Sequence, residues 1–294
     1  MIARSDPADA LDDLCALVER HATGFGTPTG VARQALVSVD DNAAALDVRY
    51  VPMVCFVARG AKSLLAGDKA LSVHRGEVFV GLVDAPVSAV FDAPYRAATL
   101  VLDEQIVADL VLEASGGHRP ALPDRGAFTT AVMDRRLVDA VSRWVELNDE
   151  PDQAGVLARR AEEEILYRVL TGPLGGSLAA AMSSGKVAAV RRAAAHLAGN
   201  LAGPVSLAEL AAVAHCSPVT LGKHFRRVTG TSPMRFHKQL KLQRARQLLA
   251  TGSHTAASAA AAVGYVSASQ FNRDYHRRYG APPLQHARML TTAG

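Results

Sequence analysis

The chain has 294 residues, of which 49% are hydrophobic, 20% charged and 5% aromatic. This length predicts two domains, and the Leu, Val and Ala content is sufficient for buried cores, which excludes a wholly disordered chain. No apolar run is long enough for a membrane helix, and the acidic N-terminus argues against a signal peptide. Three cysteines, Cys15, Cys55 and Cys216, are too few for a disulfide framework or a cysteine-only zinc site. We therefore expect a cytoplasmic protein with no membrane partner.

Charge divides the chain into an acidic and a basic part. Residues 186–294 include 15 Lys and Arg residues and 2 acidic ones, whereas residues 1–185 include 17 basic and 26 acidic residues. The basic part carries Leu, Val and Ala at helical spacing, so it predicts a folded domain that binds a polyanion such as nucleic acid. Gly, Pro and Ser residues mark a linker between the two parts. The expected domains are 1–171 and 187–294, with the linker at 172–186.

Residues 50–102 have the pattern of short β-strands. Apolar runs at 51–57, 64–73, 77–83, 87–91 and 96–102 are separated by turn signals, among them Gly60, Gly67-Asp68 and Asp92-Ala-Pro94. Closely spaced turns of this kind predict a β-sandwich or a β-barrel.

After Asp103 the apolar spacing becomes helical. Two longer helices are expected at about 130–147 and 153–170, each with one apolar face. The sequence does not distinguish packing of these faces on their own barrel from packing on a second chain. A homodimer is therefore one of two open interpretations.

The basic part contains two helix–turn–helix patterns. The first, at about 206–228, begins with a capping box formed by Ser206 and Glu209, and Ser217-Pro218 starts its second helix. The second, at about 256–279, repeats the pattern with Gly264 in the turn. A helix of roughly 18 residues, about 27 Å long, connects them. This length suits two helices that enter successive major grooves, about 34 Å apart.

The connecting helix carries a regular row of basic residues. Four basic residues recur every three positions on the connecting helix and form either a phosphate-binding row or a solvated face: Arg235, Lys238, Lys241 and Arg244.

The helix at 256–262 is nearly all alanine, so we expect the second unit to be the less stable one.

Several motifs of the basic part resemble the AraC/XylS family of bacterial transcription regulators. They are Leu-Ala-x-x-Ala at 210–214, Thr-Gly-x-Ser-Pro at 229–233, Leu-Gln-x-Ala-Arg-x-Leu at 242–248 and Tyr-Gly-Ala-Pro-Pro at 279–283. The resemblance implies a sequence-specific transcription regulator whose partner is double-stranded DNA. It also implies RNA polymerase as a partner, if the protein activates transcription.

The same resemblance assigns DNA contacts to both units. The implied base contacts are Val219, Gly222, Lys223, Ser269, Asn272 and Arg273. The implied backbone contacts are Ser217, Thr220, Arg226, Arg227, Gln270 and Arg277. The chemistry suits these roles, because Lys223 and Arg273 donate to guanine and Asn272 is able to pair with adenine. Gly222 offers no side chain where the family usually has a polar one.

The N-terminal part resembles the cupin-like domain of one AraC subgroup. The motifs are Val57-x-x-Gly60, Ala66-Gly-Asp68, Asp84-x-Pro86 and Glu-Glu-Ile-Leu-Tyr-Arg at 163–168. This implies a domain that senses a small-molecule effector, whose binding residues stay unassigned, with helices nearby that dimerise. The expected fold is α+β in two domains, a cupin-like β-barrel with flanking helices and an all-α tandem helix–turn–helix domain.

The alternative is a cupin-type enzyme fused to a DNA-binding domain. The strands carry a single histidine, His74, and no set of His and Glu residues has metal-ligand spacing. No phosphate loop, nucleophile elbow or dinucleotide fingerprint is present either. We therefore predict no catalytic residue, no metal site and no cofactor.

Two further interpretations are weaker. A nucleoid or RNA-binding protein is disfavoured, because the basic residues lie on helix–turn–helix elements without aromatic platforms for bases. Cys55 lies in an apolar strand, where a thiol either senses oxidants or electrophiles or, more often, is inert filler.

Overall fold

The structure is a computed structural model that describes residues 7–41, 46–115, 127–182 and 185–292. The strands are β1 (Thr27–Pro28), β2 (Gln34–Val39), β3 (Leu46–Tyr50), β4 (Met53–Ala66), β5 (Lys69–His74), β6 (Glu77–Gly81), β7 (Ala85–Val101) and β8 (Phe128–Val132). The helices that accompany them are α1 (Pro7–His21), α2 (Glu104–Ser115), α3 (Arg135–Glu146), α4 (Pro151–Thr171) and α5 (Gly175–Met182). The C-terminal part consists of α6 (Lys186–Gly199), α7 (Leu207–Val213), α8 (Pro218–Thr229), α9 (Pro233–Ala250), α10 (Ala256–Ala262), α11 (Ala268–Tyr279) and α12 (Pro283–Thr292). The predicted two-part α+β fold is confirmed.

Two long antiparallel strands, β4 and β7, form the centre of the sheet. At one end of this pair β2 and β1 extend from β7, and β6 and β8 extend from β4. At the other end β3 pairs with β7, and β5 pairs with β4. The two halves face each other, because Lys62 of one half contacts Cys55 of the other. The bent sheet thus encloses an apolar interior, as the cupin-like barrel requires.

The predicted breaks at Gly60 and at Asp92-Ala-Pro94 are wrong as strand boundaries. Both lie inside the continuous strands β4 and β7, and the β4–β7 register shifts between Val57 and Ala61. Gly60 has a φ of +73°, and a Cβ there would overlap the carbonyl oxygens of Asp92 and Pro94. Glycine is needed because the two strands approach closely where they bend, which a bulge achieves without ending either strand.

The predicted helix at 130–147 begins later than expected. Residues 128–132 form β8, which pairs with β6, and α3 starts at Arg135. The Asp134 side chain accepts a hydrogen bond from the Leu137 amide, so it caps the helix at this point.

Part of the predicted linker is helical. Helix α5 occupies 175–182, and Leu174, Leu178 and Ala181 around it are buried. The segment therefore packs as part of the structure, although the domain limits at 171 and 187 stay a prediction.

The two helix–turn–helix units differ in their cores. Leu221 and Phe225 of the first unit belong to the same buried cluster as the barrel. The second unit has a separate, smaller cluster, to which α10 contributes only Ala259 and Ala260. This agrees with the expectation that the second unit is less stable, which remains a prediction about its free energy of unfolding.

Two glycines of the second unit allow a matched test of packing. Gly264 (φ +75°) and Gly280 (φ +73°) follow α10 and α11, and a Cβ would overlap the Ala202 carbonyl at Gly264 but meet nothing within 4 Å at Gly280. We expect Gly280→Ala to lower the free energy of unfolding by about 1 kcal/mol through backbone strain. Gly264→Ala should cost roughly 1–3 kcal/mol more, because the added methyl group is overpacked.

Chemical denaturation of the purified chain, with a probe of the C-terminal part, measures both changes. Equal losses for the two variants would contradict the close packing of Gly264 on Ala202.

Candidate nucleic-acid interface

The first unit is built from α7, a tight turn and α8. Ser206 accepts from the Glu209 amide, and the Glu209 side chain accepts from the Ser206 amide, which completes the predicted capping box. In the turn, His215 has a φ of +54°. Ser217 then caps α8 by accepting from the Thr220 amide. These caps fix where α8 begins and therefore which side chains its first turns present.

Helix α8 has one buried face and one solvent-exposed face. Leu221, Phe225 and Val228 are fully buried, and the Phe225 ring packs edge-on against Phe236 of α9. The predicted contacts lie on the opposite face at helical spacing, where they are exposed or partly exposed: Val219, Gly222, Lys223 and Arg226. The structure thus brings these predicted residues together, with Val219 68% exposed.

Gly222 stands within this exposed face. A Cβ at this position would meet nothing within 4 Å, so the protein itself leaves room for a side chain there. Packing within the chain therefore does not require glycine at position 222.

The second unit repeats the arrangement with α10 and α11. The Ser267 side chain accepts from the Gln270 amide and caps α11, while Phe271 and Tyr275 are buried. The predicted contacts are all exposed: Ser269, Gln270, Asn272, Arg273 and Arg277. The Arg277 side chain is 77% exposed and lies 3.5 Å from a carboxylate oxygen of Asp274.

The four side chains of the predicted basic row on α9 have different surroundings. Lys238 forms an ion pair with the buried Asp274 of α11, with Nζ and Oδ2 3.0 Å apart. Lys241 is half-buried, and burial lowers the pKa of its ammonium group. Arg235 and Arg244 are exposed. The row is therefore divided between holding α11 in place and facing solvent.

The barrel contacts the last turn of α11 through Asp47. The Asp47 carboxylate accepts from the Arg278 guanidinium at 2.8 Å and from the Ser88 hydroxyl, and only 12% of its side chain is exposed. Arg246 of α9 donates to the Asp47 carbonyl at 3.4 Å. Sequence reasoning missed Asp47, because no local pattern distinguishes an acidic strand residue that meets a helix 231 residues further along.

The barrel also contacts the end of α8 through the β4–β5 turn. Gly67 (φ +65°) packs against the carbonyls of Thr229 and Gly230, and Gly230 packs against Asp68. Lys69 donates a hydrogen bond to the Arg227 carbonyl oxygen. Each of the two candidate recognition helices therefore touches the barrel at its C-terminal end.

A cavity of about 230 Å³ opens on the barrel side of this contact. Its lining is apolar apart from one lysine: Leu64, Ala66, Lys69, Ala70, Leu71, Val87, Ala127 and Phe128. Lys69 also donates a hydrogen bond to the Arg227 carbonyl at the end of α8, so this lysine connects the cavity wall to the first unit.

The described residues contain neither a candidate metal cluster nor a membrane-spanning helix. Within 7–41, 46–115, 127–182 and 185–292, no group of three or more His, Cys, Asp or Glu residues is arranged to hold a metal ion. No helix in these ranges is long and apolar enough to span a membrane.

Two family models match the chain. The model of the AraC-type transcriptional regulator N-terminus covers residues 30–177, which is half of the chain, and a helix-turn-helix domain model covers residues 210–289. The first contains most of the sheet, and the second contains the whole second helix–turn–helix unit and the first unit from residue 210 onwards.

Curated relatives match a shorter part of the chain. The HTH-type transcriptional regulator GbdR of Pseudomonas aeruginosa is 37% identical over 84 residues, which are 29% of this chain and 23% of GbdR. The RCS-specific HTH-type transcriptional activator RclR of Escherichia coli is 34% identical over 77 residues, 26% of this chain and 27% of RclR. The chain thus spans about a quarter of the length of these relatives.

A solved structure matches almost the whole chain. ToxT from Vibrio cholerae, bound to (E)-4-(8-methylnaphthalen-1-yl)but-3-enoic acid, has a TM-score of 0.58 at 9% identity and covers 88% of this chain and 98% of its own. At this identity the likeness shows a common fold. The match to the N-terminal family model over half of the chain shows that the chain belongs to the AraC-type transcriptional regulators.

Proposed function

We propose that the chain regulates transcription by reading two successive major-groove segments of double-stranded DNA with α8 and α11. The observation that carries this proposal is the pair of capped helices, each with a buried apolar face and an exposed polar face, joined by the 18-residue helix α9. A helix of this length spans about 27 Å, close to the roughly 34 Å between successive major grooves.

The proposed base contacts follow from the chemistry of the exposed faces. Lys223 and Arg273 occupy equivalent places on α8 and α11, and both donate to the O6 and N7 atoms of guanine. Asn272 pairs with adenine, Val219 contacts a thymine methyl group, and Ser269 hydrogen-bonds to either kind of base. Gly222 leaves one base step without side-chain readout.

The other six predicted contacts act on the DNA backbone. Six residues at the starts and ends of the two helices are proposed phosphate contacts: Ser217, Thr220, Arg226, Arg227, Gln270 and Arg277. Such contacts position the protein on the duplex without selecting a sequence.

Binding rather than catalysis is the proposed activity of the whole chain. The matched family models and relatives are those of transcription regulators, and the described residues include no candidate metal cluster. A cupin-type enzyme would need such a cluster in its barrel.

The cavity beside the β4–β5 turn is the proposed effector site. Its volume of about 230 Å³ and its apolar lining suit a small apolar ligand, and Lys69 suits an anionic group on that ligand. A ligand that binds Lys69 competes with the Arg227 carbonyl for the same ammonium group. Effector binding would then change how firmly the barrel holds the first unit.

Helix α4 is the proposed dimer surface. Val156 and Tyr167 are 63% and 49% exposed, and they lie eleven positions apart, on one side of the helix. A dimer would place two DNA-binding domains on one operator. RNA polymerase is a further proposed partner if the protein activates transcription.

Removing one proposed base contact should relax sequence preference at one position. We expect Lys223→Ala and Arg273→Ala each to reduce discrimination at a single base pair by about 1–3 kcal/mol, because a donor to guanine is lost. Selection of bound duplexes from a random library, followed by sequencing, measures the change.

Arg20→Ala is the matched control for the loss of positive charge. Arg20 is exposed on α1, pairs with Asp149 within the N-terminal part and belongs to neither unit nor the proposed dimer surface, so its replacement should leave the selected sequence unchanged. A Lys223→Ala profile identical to that of the control would refute the proposed base contact of α8.

Breaking the Asp47 contact should strengthen DNA binding. Asp47→Ala releases the Arg278 guanidinium of α11 and removes a negative charge near the proposed DNA surface. We expect the affinity for a selected duplex to rise roughly twofold to tenfold and the log–log salt dependence to steepen by about one unit.

Asp40→Ala tests whether the charge alone is responsible. Asp40 is 73% exposed and pairs with Arg96 within the barrel, so its loss changes the net charge equally without releasing α11. Equal affinities for the two variants, measured by fluorescence anisotropy over a salt series, would contradict a restraint on α11 by Asp47.

A further inference from the structure

The interior of the barrel contains a buried amine beside a buried thiol. The Nζ atom of Lys62 lies 3.2 Å from the Sγ atom of Cys55, and the Tyr95 hydroxyl lies 3.7 Å from the same sulfur. Lys62 is 3% exposed and Cys55 is 1% exposed. The proposed DNA recognition uses none of these three side chains.

The bend of β4 creates this pair. In a flat strand, residues seven positions apart would be about 23 Å apart, too far for their side chains to meet. The register shifts between Val57 and Ala61, with Gly60 in a left-handed conformation, turn the second half of β4 back over the first. The contact between Cys55 and Lys62 is therefore set by the fold.

The surroundings of Lys62 make the sulfur its main polar partner. Its Nζ atom lies 5.3 Å and 4.7 Å from the ring centroids of Tyr50 and Phe79, and in the part of the chain that the structure describes no carboxylate forms an ion pair with it. Burial alone lowers the pKa of the Lys62 ammonium, but Cys55 and Tyr50 outweigh this effect and the pKa is raised. A thiolate is the form of cysteine that reacts with oxidants, and at Cys55 it would have the Lys62 ammonium as its partner at 3.2 Å.

The cavity of the barrel lies on the same side of β4 as Lys62. Lys62, Leu64 and Ala66 lie on the inner side of β4, because residues two positions apart share one face of a strand. Leu64 and Ala66 line the cavity described above. Phe128 lines the same cavity and stacks on Phe79, whose ring contacts the Lys62 ammonium. The contacts between Phe128, Phe79 and Lys62 therefore link the cavity wall to the thiol, and hydrogen peroxide, which is close to water in size, is an oxidant small enough to enter along them.

We propose that Cys55 and Lys62 form a peroxide-responsive modification site, at which oxidation joins Sγ to Nζ through a sulfenamide bond. The Cys55 thiolate attacks one peroxide oxygen and becomes a sulfenic acid, which oxidises the sulfur by two electrons and cleaves the O–O bond. The leaving hydroxide takes a proton from the Lys62 ammonium and departs as water. The neutral amine then attacks Sγ, the S–O bond breaks, and a second water molecule leaves.

The peptides of the chain make this product identifiable. Trypsin separates Cys55, in the peptide 50–59, from Lys62, and a modified Lys62 blocks cleavage so that the peptide 60–69 stays whole. After treatment of the full chain with hydrogen peroxide, we expect these two peptides to be joined, lighter by two hydrogen atoms than their sum. A thiol reductant should separate them again.

Lys62→Met is the decisive variant, because it keeps Cys55 and fills the same space without the amine. It should give no joined peptide, and its Cys55 should instead be trapped as sulfenic acid by dimedone or proceed to sulfinic acid. Cys216→Ser, which removes a half-buried thiol outside the barrel, should give the joined peptide as the unmodified chain does. Circular dichroism before treatment verifies that each variant is folded.

Two results would overturn the proposal. One is a Cys55 that stays reduced at a peroxide dose that oxidises Cys216. The other is oxidation of Cys55 to the same unlinked product in the unmodified chain and in Lys62→Met.

Discussion

The rigid helix α9 is the constraint on which the rest of the DNA-binding part depends. Its first half contributes Phe236 and Leu240 to the core that contains the first unit, and its second half contributes Leu242, Ala245 and Leu249 to the core of the second. Because one continuous helix is packed into both cores, the two recognition helices cannot change their separation without loss of buried apolar contacts. The spacing of the two proposed DNA contacts is thus a property of α9.

The barrel contacts the C-terminal ends of both α8 and α11. Residues 67–69 contact the end of α8, and Asp47 holds Arg278 at the end of α11, whose unit has the smaller core. A change inside the barrel at either contact therefore reaches a recognition helix within a few side chains. In the proposed account, the effector cavity acts on the first contact through Lys69.

Sequence patterns predicted the DNA-binding part more closely than the barrel. Capping residues such as Ser206 and Ser217 accept hydrogen bonds from amides three residues further along the chain. The sequence of one helix start is therefore enough to predict them. The continuity of β4 through Gly60 depends on β7, more than thirty residues away, and the ion pair of Asp47 with Arg278 depends on the whole fold. Local propensity contains no information on either. The exposed residues of α8 and α11 were assigned from the family resemblance, and the buried Leu221 and Phe225 on the opposite face of α8 agree with that assignment.

Selection of random duplex DNA by the purified full chain tests the central claim most directly. If α9 fixes the separation of α8 and α11, the selected sequences should contain two short conserved blocks at one constant spacing of about one helical turn, or 10 base pairs. Binding without enrichment, or two blocks at variable spacing, would contradict the account, because a rigid α9 packed into both cores allows a single separation.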